Sequence, residues 1–120
     1  MRIENLTDGR RRGKSKLNIQ QLTDAIRTWA IYRGLDTADS TKQALKLGEE
    51  FGELCQGLAK SRPDEVKDAL GDMFVVMTIL AMQEGVAIEE CVQIAYNEIK
   101  DRKGEMVNGV FVKEDDLVKG

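Results

Sequence analysis

One proline constrains this chain more than any other residue. Pro63 is the only proline among 120 residues. It separates two long stretches, residues 44–58 and 66–82, whose apolar side chains recur at helical spacing. Proline suits the first turn of a helix, and the residue before it, Arg62, is disfavoured in helical geometry. Residues 61–64 therefore form a tight connection, and a connection that short makes its two helices antiparallel neighbours. The chain is built around a helical hairpin.

Both arms of that hairpin carry acids at helical intervals. The first has Glu49, Glu50 and Glu53; the second has Glu65, Asp68 and Asp72. Residues three or four apart share a helix face, so Glu50 pairs with Glu53, and Asp68 with Asp72. Acid-rich faces are usually solvated surface. Two details argue otherwise. Asp72 leads into residues 73–82, where Thr78 is the one polar side chain. A helix that is apolar nearly all round is buried, and an acid entering it needs a partner or a cation. In addition, Gly48, Gly52, Gly57 and Gly71 lie in and around the acidic helices. Each costs about 1 kcal/mol against alanine, which points to close approach of backbone, ligand or a partner helix. Crowded carboxylates repel without a cation, and oxygen-only sites suit Mg²⁺. Glu65 has a second reading: with Asp64 it sits where the helix N-terminus favours negative charge.

The rest of the chain frames this hairpin. Asn18 caps a first helix over residues 19–33, with Leu22, Ala25, Ile26, Trp29 and Ala30 on its apolar side and Gly34 as its stop. Trp29 reads as core or as a base-stacking ring. The second helix covers residues 41–60, capped by Asp39 or Ser40. Its apolar stripe is Ala44, Leu47, Phe51, Leu54 and Leu58, which Glu50 flanks and Glu49 nearly opposes. The third helix runs to about residue 84, where Gly85 ends it. The fourth covers residues 87–103, with Gly104 as its stop. Asn108-Gly109 between β-prone residues is a hairpin signal, and the little chain left there makes a short ribbon or an extended arm. The expected fold is all-α: an antiparallel four-helix bundle-like subunit, with a flexible basic N-terminal arm (residues 1–16), a core domain (17–107) and a short C-terminal extended tail (108–120).

Composition narrows the chemistry. With 42% hydrophobic and 32% charged residues, the chain reads as a soluble globular domain. Histidine is absent, which removes Ser-His-Asp catalysis and Glu-x-x-His di-iron ligation. Cys55 and Cys91 stand far apart, so zinc is disfavoured; they read as reduced core thiols of a cytoplasmic protein. A net charge of −3 does not point to nucleic acid. The run Arg10-Arg11-Arg12-Gly13-Lys14 is a local exception that reads as a solvated terminus. The longest apolar run is too short to span a bilayer.

The pattern Glu49-Glu50-x-x-Glu53, Glu65-x-x-Asp68 and Gly71-Asp72, with residues 95–104 (AYNEIKDRKG), resembles the all-α nucleoside triphosphate pyrophosphohydrolases. Within them it is most similar to the MazG-like proteins, including short phage-type members. The resemblance covers about residues 19–112 and takes in Trp29 and Arg33-Gly34-Leu35. It implies hydrolysis of a (deoxy)nucleoside triphosphate to the monophosphate and pyrophosphate, in house-cleaning or pool control. It implies Mg²⁺, with Mn²⁺ as a substitute, held by Glu50, Glu53, Asp68 and Asp72, with Glu65 as a further candidate. The family pattern places a glutamate where this chain has Ala69, so Glu65/Asp68 and Asp68/Asp72 both remain open as the third-helix pair. Glu49 or Glu53 would position or deprotonate the attacking water. Trp29, Lys46, Asn97, Lys100 and Lys103 would bind substrate; no Walker-type glycine loop is present to do so. The resemblance also implies a homodimer or homotetramer. A helical adaptor that keeps the fold without catalysis is the alternative.

Overall fold

The computed structural model describes residues 16–117. The basic run of residues 10–14 and nearly all of the expected arm lie outside the described residues. Contacts within the chain divide it after Glu84 into two units.

The first unit holds α1 (Ile19–Tyr32), a single 3₁₀ turn (Leu35–Thr37), α2 (Ser40–Ala59) and α3 (Pro63–Gln83). Local chemistry sets each boundary. The Asn18 side chain accepts from the Gln21 N–H at 2.8 Å, and the Gln21 side chain accepts from the Asn18 N–H at 2.9 Å. That reciprocal pair is a capping box. Gly34 follows α1 at φ +70°, a left-handed conformation that costs glycine little. Asp39 caps α2 by accepting from the Thr41 N–H at 2.9 Å, and Pro63 opens α3.

α3 is the central element. It packs on α2 and on α1, which do not pack on each other. The core is small: Ala30, Ala69, Val76, Ile79 and Ala81. Thr78 is fully buried but satisfied, since its hydroxyl donates to the Phe74 carbonyl at 2.8 Å. Two amides tie other elements to α3. Gln83 Nε2 donates to the Leu35 carbonyl at 2.8 Å, and Gln43 Nε2 donates to the Val76 carbonyl at 3.4 Å.

Several expected core residues are not core. Trp29 is 46% exposed, and Phe51 and Leu58 are exposed. Cys55 and Cys91 are free thiols on exposed helix surface. The cause is the same in α1 and α2: each has more apolar surface than α3 alone covers.

In the second unit, α4 (Ile88–Ile99) ends four residues before the expected boundary. Residues 100–103 turn instead into an antiparallel ribbon, β1 (Gly104–Val107) and β2 (Val110–Lys113). Asn108 and Gly109 connect the strands at φ 51° and 81°, as an Asn-Gly hairpin turn requires. A one-turn α5 (Glu114–Leu117) packs back on both strands. The boundary drawn between residues 107 and 108 thus falls inside the hairpin.

Gly104 does not stop a helix; it starts a strand. A Cβ there would collide with the Val112 carbonyl oxygen and lie 2.7 Å from Phe111 Cζ. Gly104→Ala should therefore open the ribbon, at a cost of about 2 kcal/mol to that unit. Loss of the cross-strand Glu105–Val112 NOE, with α1–α3 signals unchanged, is the expected NMR result.

Candidate metal and phosphate site

The acids fall on the α2–α3 seam. α3 runs antiparallel to α2, and the two approach closely at Gly57, where a Cβ would lie 3.2 Å from Val66 Cγ2 and 3.3 Å from the Val66 nitrogen. Further along α2, the residue turned towards the seam is Glu50. It is 8% exposed and, with Gly57, the most buried residue of its helix. The structure therefore rotates α2 relative to the stripe read from sequence: α3 covers Leu47, Glu50, Leu54 and Gly57, and leaves Ala44, Phe51 and Leu58 outside.

Glu50 is in an unfavourable place for a lone charge. Its Oε1 is buried without a hydrogen-bond partner. The nearest cation is Lys46, whose Nζ is 3.8 Å from Oε2, too long for a hydrogen bond. Burial pushes the Glu50 carboxyl pKa up, and the negative charges of Glu53 and Asp72 add to the rise. Lys46 opposes it. Carboxylates from both helices thus bear on one buried oxygen that lacks a donor.

The other expected residues are placed as follows. Glu53 and Asp72 join Glu50 in this cluster, Asp72 half-buried on α3. Asp68 and Glu49 are exposed. Glu65 lies in the first turn of α3, where Arg62 Nη1 donates to it at 3.3 Å, matching its dipole reading. Among the described residues, no three acids or thiols already converge at metal-binding distance. Ala69, only 1% exposed, occupies a seam position of α3. Arg33 stacks its guanidinium 4.1 Å over the Trp29 ring.

Asn97, Lys100 and Lys103 belong to the second unit. Asn97 accepts from Gln93 Nε2 at 3.0 Å, Lys100 caps α4, and the Lys103 carbonyl accepts from the Glu114 N–H at 2.7 Å. All three are exposed.

Sequence reading missed two structural amides, Gln43 and Gln83. Their signal was present, as polar residues near the apolar stretches of α2 and α3, but the pattern alone does not name a backbone partner.

Comparison with known proteins places the chain. A family model described as phosphoribosyl-ATP pyrophosphohydrolase matches residues 20–106. The chain is 55% identical over 71 residues to an 18.2 kDa protein in the rep-hol intergenic region of Haemophilus phage HP1 (strain HP1c1). That match covers 58% of this chain and 43% of the phage protein, so the chain spans less than half the length of that curated relative. No solved structure matches. No single helix among the described residues is long and apolar enough to cross a membrane.

Proposed function

Since the chain belongs to the phosphoribosyl-ATP pyrophosphohydrolase family, within the all-α nucleoside triphosphate pyrophosphatase superfamily, we propose that it hydrolyses a nucleotide to its monophosphate and pyrophosphate. The finer reading is a short, phage-type, MazG-like enzyme acting on a (deoxy)nucleoside triphosphate in house-cleaning or pool control. The identity shared with the phage protein bears on the phage-type part of that reading alone, since that protein is itself described as uncharacterized.

The observation that carries the proposal is the buried, partnerless Oε1 of Glu50, flanked by Glu53 and Asp72. An oxygen donor set that repels itself is what a hard divalent cation stabilises. Glu50, Glu53 and Asp72 would hold Mg²⁺ or Mn²⁺, with Asp68 as the fourth acid. The ion would supply neutralisation of phosphate oxygens and Lewis acidity towards water. Glu65 is engaged with Arg62 and is left out of the set.

The chain's own groups have the remaining tasks. Glu49 or Glu53 would orient or deprotonate the attacking water, as the resemblance implies. Lys46 screens Glu50 in the ion's absence and is free to meet a phosphate oxygen once the ion is bound. Lys100, Lys103 and Asn97, in the second unit, keep the substrate-binding role that the resemblance implies. Trp29 offers one ring face to a base. The enzyme works as a homodimer or homotetramer in a reducing, cytoplasmic setting.

The test is pyrophosphate release from a panel of ribo- and deoxynucleoside triphosphates, dUTP, oxidised and methylated bases, and phosphoribosyl-ATP, with and without Mg²⁺. Mg²⁺-dependent pyrophosphate from a triphosphate is the expected result. Selective turnover of phosphoribosyl-ATP would replace the finer reading with the family's named substrate. No pyrophosphate from any of them would leave the adaptor.

A further inference from the structure

We propose that the acidic cluster takes one divalent cation per chain, and that the Lys46 ammonium is the second positive centre facing the polyphosphate, where a second metal ion would otherwise sit. The inference rests on the metal-site reading of Glu50, Glu53 and Asp72 given above. It adds the number of ions and the form in which the ligand is held, a polyphosphate complexed with a single cation.

Three observations lead there. First, the acidic layer is one turn deep. Gly57 lies against Val66, and α2 and α3 run antiparallel with the same rise per residue. Counting along both helices from that contact brings Leu54 level with Ala69, Glu50 level with residues 72–73, and Leu47 level with Val76. Ala69 and Val76 are 1% and 3% exposed, and Leu47 and Leu54 are half-buried. Apolar side chains therefore close the cluster in on both sides along the seam. A second hard cation needs oxygen ligands of its own. The next acids on α3 do not bring them inside, since Asp68 is exposed and Arg62 Nη1 donates to Glu65 at 3.3 Å.

Second, the two oxygens of Glu50 have different surroundings. Oε1 is buried without a hydrogen-bond partner. Oε2 faces Lys46 Nζ at 3.8 Å. The Glu50 side chain is 10% exposed and that of Lys46 56%. One oxygen is thus open to an ion, while the other already has a cation reaching in from solvent. That contact is too long for a hydrogen bond, so the ammonium keeps its three donors for phosphate oxygens.

Third, the charges balance with one ion. The carboxylates of Glu53 and Asp72 both bear on Glu50, which makes three negative charges. Lys46 and one divalent ion supply three positive ones. A second divalent ion would leave the cluster positive, with no further buried acid to hold it. With one ion and Lys46 in place, the cluster no longer repels a polyphosphate, and both cations attract it.

The experiment is a Mn²⁺ titration of the full chain with one equivalent of an α,β-methylene nucleoside triphosphate, which resists cleavage, followed by electron paramagnetic resonance. Wild type should saturate at one ion per chain, with the spectrum of a magnetically isolated ion. Lys46→Met should move two affinities in opposite directions. Mn²⁺ alone should bind about two- to fivefold more tightly, the scale of an exposed ion pair. The analogue, in saturating Mg²⁺, should bind at least about tenfold more weakly, the scale of a hydrogen bond to a charged group. A damaged fold would weaken both. Two ions per chain, or the spectrum of a coupled pair, would overturn the proposal and leave the metal site standing. Metal affinity that fails to rise in Lys46→Met, or analogue affinity that fails to fall, would overturn it as well. Wild type that binds no Mn²⁺, with or without the analogue, would remove the metal-site reading and this inference with it.

Discussion

Glu50→Gln should abolish pyrophosphate release and, in the same protein, raise the unfolding temperature measured without metal. Both effects follow from one carboxylate. The loss of activity should be at least about a hundredfold, since even outer partners of metal ligands cost about 10- to 100-fold. The gain in stability comes from removing a charge that is desolvated by burial and repelled by Glu53 and Asp72. The amide keeps the shape, brings no charge, and offers a donor to the neighbouring carboxylates.

The pH dependence has a definite sign. Burial and repulsion raise the Glu50 pKa above its ordinary value of 4.5. As pH rises from that value, the unfolded chain gives up this proton first and the folded chain retains it. Stability from this group is therefore greatest at low pH and is lost as pH rises through the folded value. Metal-free wild type should lose melting temperature across that window relative to Glu50→Gln, and saturating Mg²⁺ should erase the difference. Melting curves in EDTA and in Mg²⁺, at several pH values, would show it. Identical pH slopes for the two proteins without metal would contradict the assignment.

Ile79→Ala is the second large effect, and it acts through the fold. Ile79 is 3% exposed on α3, the one helix that both α1 and α2 pack on. Truncating a buried isoleucine costs about 3 kcal/mol. Domains of this kind have only about 5–15 kcal/mol in total, and this core contains few large side chains. The urea midpoint should fall with an unchanged slope. Tyr32→Ala, at a residue 84% exposed, should change stability by no more than about 0.5 kcal/mol. Equal losses in the two variants would mean that the described core is not the one that holds the chain together.

The hairpin was legible because Pro63, the flanking caps and the stops Gly34 and Gly85 are local signals, and local chemistry decides them. The left-handed φ values of the two glycines, +70° and +75°, are the conformations that a stop demands. The rotation of α2 was not legible. Both sides of that helix are apolar, and periodicity does not say which side meets α3. The structure turns Glu50 inward and leaves Phe51 out, so Glu50 is more constrained than its sequence neighbours indicate. The end of α4 was missed for a related reason. Residues 100–103 are acceptable in a helix, and only the ribbon that follows, with Phe111 beside Gly104, draws them out of it. The acids were legible as helix positions, not as a site. The charges of Glu53 and Asp72 bear on Glu50, an effect that depends on how two helices meet and that periodicity does not give.

The most direct measurement is a Mn²⁺ titration followed by electron paramagnetic resonance, on wild type, Glu50→Gln, Asp72→Asn and Glu65→Gln. Saturable binding by wild type and Glu65→Gln, lost in Glu50→Gln and Asp72→Asn, is the result predicted for a cation held across α2 and α3. Binding that survives both of those substitutions, or that none of the four proteins shows, would contradict it.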